Sequence, residues 1–327
     1  QYRKLGRTNY MASRLVFGCG AALSGGKAVN LLERTFEAGI NFYDIGSNLY
    51  YRGSEQSLSP FLKAHRDEVW VSSKAPLNVP GPRKPGDPLS VDQGKVIGDQ
   101  WTKLMENSLR DMDVDYVDAY YLMAVGDPAI VRSEELYAAF VKARDAGKVG
   151  HLGVSTLKQA QHVLDAAIKT GWYDLAMIAI TPSGWYEWET KSLLKDSPSL
   201  KELRPSLDKA REAGMGLIGM KASRFLSQMT SGGKGNETAF DAHYDAKLMS
   251  PNLSAFQRSY AYVLENGLDV VAVHLGCMAL GAIRLPLNAH YRAAEIRPLV
   301  EDARPVLVVT RDAPLFLGRQ GRDRAHV

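Results

Sequence analysis

Asp44, Lys74 and the adjacent Tyr50 and Tyr51 are the residues of this chain whose types and spacing could do chemistry together. Asp44 closes the run Gly39-Ile-Asn-Phe-Tyr-Asp44 and Lys74 closes Val69-Trp-Val-Ser-Ser-Lys74, each a short β-rich stretch ending in a charge. Charges at the carboxyl ends of successive parallel strands point into one mouth. A lysine ammonium beside a tyrosine favours the phenolate and lowers the phenol's pKa, while an aspartate keeps the lysine charged and oriented. Such a tyrosine can give a proton to a carbonyl oxygen as hydride arrives at carbon.

The elements that would position these groups follow from periodicity. Apolar runs of strand length are expected at Leu15 to Gly18, Asn41 to Asp44, Val69 to Lys74, Tyr116 to Leu122, Leu152 to Ser155, Leu175 to Ile180, Gly216 to Met220 and Val270 to His274. Between them, apolar spacing of three and four predicts helices over Ala28 to Ala38, Glu55 to Ala64, Lys95 to Met112, Ser133 to Ala146, Leu157 to Thr170, Lys201 to Ala213 and Leu253 to Asn266. Ala38-Gly39, Ala146-Gly147, Thr170-Gly171 and Ala213-Gly214 read as helix stops, because glycine accepts the left-handed conformation past a last turn. Strands alternating with helices give a parallel sheet, and eight such units close into a (β/α)8 barrel whose site lies at the strand carboxyl ends. A doubly wound sheet is the rival, but no G-x-G-x-x-G links the first strand to the first helix.

Composition sets outer bounds. The 327 residues, 45% hydrophobic, suit one large barrel domain over 1–327, and no composition shift marks a second. A net charge of +4 with dispersed basic residues points away from nucleic acid, and no apolar run of about 20 residues points to a membrane. Cys19 and Cys277 are too few for a disulfide framework or a multi-cysteine metal site, so no metal is expected. A reducing, cytoplasmic location is the expectation, and the start at Gln1 leaves room for a leader already removed. Oligomeric state is not legible.

At this point the chain resembles the aldo-keto reductases. The resemblance rests on Tyr2-Arg-Lys-Leu-Gly-Arg-Thr, Ser13-Arg-Leu-Val-Phe-Gly18, the run Asn41 to Glu55 where the family reads D-T-A-x-x-Y-G-x-S-E, Ser108 to Asp118, and Lys142 to Thr156. In order and spacing these cover most of residues 2 to 226, whereas the tail from about 298 matches nothing. The resemblance implies an N-terminal hairpin before the barrel and a carbonyl–alcohol oxidoreductase using NADP, with NAD as the other option. It makes a tyrosine the proton donor, supported by Asp44, Lys74 and a histidine. Counting forward from Asp44 gives Tyr50 and counting back from Gly53-Ser-Glu55 gives Tyr51, and Tyr50 is preferred. Met123 stands where the family has its histidine, so the tetrad is incomplete; a thioether donates no hydrogen bond. His151 and His274 are the candidate substitutes, the first at the wrong end of its strand and the second at the right one.

The family also implies a cofactor set. Ser155 and Thr156 would cradle the nicotinamide amide, Met177 replaces the usual glutamine, and Lys221 would contact the pyrophosphate. Gly276 and Arg284 remain for the adenosine end, in a stretch that is otherwise apolar and carries Pro286 where asparagine is usual. For the substrate, Trp185 and Trp188 read as exposed loop aromatics suited to ring stacking. The Pro- and Gly-rich stretch from Ala75 to Asp92 reads as a lid or rim. A small carbonyl or alcohol is the expected substrate. The competing expectation, drawn from Met123 and the apolar eighth-strand region, is a catalytically silent barrel that binds a ligand or a protein partner.

Overall fold

The computed structural model describes residues 1–157, 160–187, 192–193, 197–226 and 235–272. A hairpin of β1 (Tyr2–Lys4) and β2 (Met11–Ser13) precedes β3 (Leu15–Gly18), α1 (Cys19–Leu23), α2 (Leu31–Glu37) and β4 (Phe42–Asp44). Then come α3 (Ser54–His65), β5 (Trp70–Ala75), α4 (Val91–Met112), β6 (Val117–Leu122), α5 (Pro128–Val131), α6 (Glu134–Asp145) and β7 (Val149–Thr156). The remainder comprises α7 (Ala160–Thr170), β8 (Leu175–Thr181), β9 (Gly184–Glu187), β10 (Ser192–Leu193), α8 (Arg204–Glu212), β11 (Gly216–Met220), α9 (Ala255–Glu265) and β12 (Asp269–Ala272).

Eight of these strands close a parallel barrel in the order β3-β4-β5-β6-β7-β8-β11-β12, with β12 returning to β3. The eight expected strands and seven expected helices are all present, with shifted ends: β7 starts at Val149 rather than Leu152, and α4 at Val91 rather than Lys95. Ser90 accounts for the latter. Its side chain accepts from the backbone of Gln93 while the Gln93 side chain accepts from Ser90 N–H, a capping box that opens the helix a turn early. The four glycines expected to stop helices, Gly39, Gly147, Gly171 and Gly214, all have positive φ.

Alternation along each strand sends one set of side chains inward. Val16, Phe42, Trp70, Ala119, Tyr121, Leu175, Met177, Ala179, Ile218 and Val271 make a packed interior. The hairpin side contributes Leu5 and Tyr10 at the amino end. There His151 stacks on Trp70 with ring centroids 5.4 Å apart and its Nδ1 meets Asp174 at 2.7 Å, so it braces the barrel floor, away from the mouth. Tyr121 crosses the interior because its neighbour Gly153 has no side chain: a Cβ there would lie 2.4 Å from the ring. The barrel lies within the unit Gln1–Val273. None of the helices among the described residues is long and apolar enough to cross a membrane.

Asp269 is wholly buried where β12 begins, 2.8 Å from Arg3 and 3.9 Å from Arg14. Burial pushes its carboxyl up to about 6, against the pull of these arginines. An acid whose folded pKa exceeds its unfolded one binds its proton more tightly when folded. Its stabilising contribution is therefore full below about pH 4 and is lost as pH rises through the folded value. Urea midpoints measured from about pH 4 to about pH 7, a window that spans the unfolded and folded values, should fall with rising pH less steeply in Asp269→Asn than in wild type. Identical slopes would remove Asp269 from the account.

Candidate active site

Asp44 and Lys74 end adjacent strands, and the Asp44↔Ser72 register sets Lys74 two residues further along β5, toward the mouth. Lys74 Nζ donates to Asp44 Oδ2 at 2.5 Å and also to the Ile45 carbonyl, while Ser72 Oγ donates to Asp44 Oδ1 at 2.9 Å. Both charged residues are only 4% exposed. Burial pushes the Asp44 carboxyl above the ordinary range, opposed by the Lys74 charge and by the hydrogen bonds from Lys74 and Ser72.

The loop after β4 carries both tyrosines, stacked edge to face with ring centroids 4.8 Å apart. Tyr50 and Tyr51 N–H groups both donate to the Ser47 carbonyl, at 3.0 and 3.1 Å, which turns the chain sharply. Tyr50 points out and is 54% exposed. Tyr51 lies inward across Gly46 and Gly20, where an added Cβ would come within 2.8 and 2.9 Å of its ring. The same hypothetical Cβ on Gly46 would lie 3.4 Å from Lys74 Cγ, so ring and lysine stem share that glycine. The preference for Tyr50 is thus not supported by the geometry, and the count back from Gly53-Ser-Glu55 gives the better-placed residue.

A second expectation also changes. Burial pushes the Tyr51 phenol up, the Asp44 charge adds to this, and the cation that opposes them is Arg224, beyond β11. Lys74 is engaged with Asp44 and the Ile45 carbonyl instead of lowering the phenol. The phenol is consequently held protonated at neutral pH. Arg224 was missed in the sequence because it lies three residues past Lys221, outside the phrase that drew attention to that lysine.

Around the mouth, Met123 directly follows β6, is partly buried and donates its N–H to the Ala75 carbonyl at 3.0 Å. Strand alternation puts it on the inward face shared by Tyr121 and Lys74. Ser155 and Thr156 end β7 and are buried, at 2% and 0% exposure. Among the described residues nothing pairs with the Ser155 hydroxyl. Ala124 and Lys221, beside the ends of β6 and β11, both have positive φ, at 55° and 64°. That conformation costs non-glycine residues on the order of 1–3 kcal/mol and clusters at functional sites.

Other expectations meet different surroundings. Met177 is fully buried in the barrel interior, paired in register with Ser155 and Ile218, and in this structure acts as packing. Trp185 is 2% exposed, not an exposed loop aromatic, because β9 folds back antiparallel on β8 with Ile180 opposite Trp185. Trp188, His274, Gly276, Cys277 and Arg284 lie outside the described residues. The rim loop after β5 is pinned: Asp127 meets Arg83 at 2.5 Å and accepts from Gly86 N–H at 3.2 Å.

Tyr121 also went unnoticed in the sequence, reading only as one more strand aromatic. It is fully buried two residues before Met123, and its hydroxyl, facing Ser72 and Asp44, makes no hydrogen bond of normal geometry.

Comparison with known proteins agrees with this geometry. The profile of the Aldo/keto reductase family matches residues 15–273. A second profile, for AMP-binding enzymes, matches residues 257–326, beginning within α9. An uncharacterized oxidoreductase of Bacillus subtilis is 24% identical, with 92% of this chain and 93% of that protein aligned. A probable aldo-keto reductase of Glycine max is 23% identical, with 83% and 79% aligned. Among solved structures, an aldo-keto reductase from Bacillus halodurans superposes with a TM-score of 0.58 at 19% identity, over 91% of this chain and 96% of that one, which establishes the shared barrel fold. With the profile matched over more than three quarters of its length, from the first barrel strand to the eighth, the chain belongs to the aldo/keto reductase family.

Proposed function

We propose that this barrel interconverts a carbonyl and an alcohol with a nicotinamide dinucleotide, Tyr51 acting as the proton donor and Lys74 and Asp44 fixing its surroundings. The observation that carries the reading is the Tyr51 ring seated on Gly46 and Gly20 beside the buried Lys74–Asp44 pair. The dinucleotide, when bound, supplies the hydride. The carbonyl carbon accepts it, the carbonyl oxygen takes the Tyr51 proton, and the phenolate left behind regains a proton from water. A phenol held protonated by burial and by Asp44 suits this direction. Alcohol oxidation needs the phenolate and is favoured at higher pH.

The residues present fit the nicotinamide end of such a cofactor. The Ser155 hydroxyl, without a partner among the described residues, is available to hold the carboxamide with Thr156, and Lys221 offers charge to a pyrophosphate oxygen. We assign NADP as the cofactor, with NAD the competing choice, and Gly276 and Arg284 as the adenosine-end contacts. Met123 supplies no donor to the carbonyl oxygen, and one missing oxyanion donor costs about a hundredfold to a thousandfold in rate. The enzyme is therefore slow but competent. A catalytically silent binding barrel is the second reading, favoured by Met123 and by the AMP-binding profile over residues 257–326.

Two measurements separate these readings. Tyr51→Phe should abolish NADPH-dependent aldehyde reduction while Tyr50→Phe leaves it near wild type, because only the inner ring reaches the mouth; the reverse result would return the donor role to Tyr50. Met123→His restores a hydrogen-bond donor and should raise kcat for a simple aldehyde, by up to about a hundredfold to a thousandfold, with NADPH affinity by fluorescence titration unchanged. No turnover in either form would establish the silent barrel, and turnover that falls on introducing histidine would mean a methionine-lined pocket tuned to an apolar substrate.

A further inference from the structure

The carboxylate of Glu55, fully buried, lies behind the barrel wall on the opposite face of β5 from the mouth. Its Oε1 accepts from Ser73 Oγ at 2.8 Å and its Oε2 from Asn48 N–H at 3.1 Å. Asn48 answers with its own Oδ1, accepting from Glu55 N–H at 3.4 Å, and its Nδ2 donates to Asp111 on α4 at 2.6 Å. These reciprocal bonds close the loop from Asn48 to Glu55 at its neck, and Tyr51 sits inside it. Two other tethers act nearby: Ser47 N–H donates to the Lys74 carbonyl at 2.8 Å just before the neck, and Ser54 Oγ, inside the loop, donates to the Gly20 carbonyl at 2.6 Å.

One tripeptide therefore governs both parts of the candidate site. Ser72 and Lys74 face inward and hold Asp44, whereas Ser73, between them, faces outward and holds Glu55. We infer that Glu55 is a positioning residue for Tyr51: by tying the loop neck to Ser73, it fixes where the phenol lies over the Lys74–Asp44 pair. The role rests on the reading of Tyr51 as the proton donor. A buried carboxylate held by hydroxyl and amide donors has no need to be ionisable for packing alone. A carboxylate is used here because one group must accept from two directions at once, from the strand and from the loop. Glutamine at this position can keep both contacts, its Oε1 accepting from Asn48 N–H and its Nε2 donating to Ser73 Oγ, whereas methionine fills a similar volume and loses both.

The test is steady-state aldehyde reduction by the full chain carrying Glu55→Met, with Ser73→Ala as a second variant that removes the anchor and leaves Glu55 itself in place. Both should lower kcat by about tenfold to a hundredfold, the loss expected from a mispositioned proton donor. NADPH affinity should stay near wild type, since neither group faces the cofactor, while the thermal midpoint falls modestly in both, because each leaves a buried polar group short of a partner. Glu55→Asp, which keeps both acceptors on a shorter stem, should recover part of the lost kcat. Wild-type kcat in Glu55→Met and Ser73→Ala, with Tyr51→Phe inactive, would overturn the positioning role alone. Full activity in Tyr51→Phe would instead overturn the reading on which it depends. Equal losses in kcat, NADPH affinity and thermal midpoint would make Glu55 a packing residue and also overturn the proposal.

Discussion

A single buried ion pair, Lys74 with Asp44, is the interaction on which the rest of this site depends. Burying two charges costs several kcal/mol per ion before their attraction and added hydrogen bonds offset it. Here Ser72 and the Ile45 carbonyl satisfy the remaining valences. Breaking such a pair on one side typically costs about 3–5 kcal/mol, because the survivor is left uncompensated. The barrel makes the geometry unavoidable: β4 and β5 are neighbours, their register is parallel, and alternation turns Asp44, Ser72 and Lys74 to the same face. Nothing about the pair is adjustable without moving a strand. The tyrosine, in contrast, sits on a loop, and its placement has to be specified by separate hydrogen bonds.

That division between strand and loop also explains what could be read from the sequence. Strand-borne groups were legible, since period-two alternation and a closing charge locate Asp44 and Lys74 without knowledge of neighbours. Helix ends were legible where glycine marks them, as at Gly39 and Gly171. The start of α4 was misplaced because Val91 is exposed and breaks the apolar spacing, while the Ser90 and Gln93 capping signal was present and went unused. Tyr51 against Tyr50 could not be settled by counting, because the loop inserts a residue relative to the family and backbone turns, not register, decide which ring points inward. Trp185 looked exposed because a short antiparallel strand after β8 is not part of the β/α repeat. Tyr121 was invisible for another reason: its path across the barrel requires Gly153 on the neighbouring strand, a pairing that only the closed sheet reveals.

The mouth therefore combines what family membership leads one to expect with local departures. A phenol, an ammonium and a carboxylate are gathered at the carboxyl ends of β4 and β5, as family membership leads one to expect. Where a histidine would complete the set, Met123 offers only an apolar surface. Below it the unpaired Tyr121 hydroxyl faces Ser72 and Asp44, adding polarity to the ion pair from the barrel interior. On the proposed function, orienting a substrate carbonyl then falls to Tyr51.

The most direct test of this dependence is the rate of single-turnover hydride transfer to a simple aldehyde in the double variant Asp44→Asn, Lys74→Met, which removes both charges and leaves no bare carboxylate buried. If the ion pair organises the site, the rate falls by about a hundredfold or more while circular dichroism and the thermal midpoint show an intact barrel. A wild-type rate in a folded double variant would contradict the account, because Tyr51 would then be positioned and active without the pair beneath it.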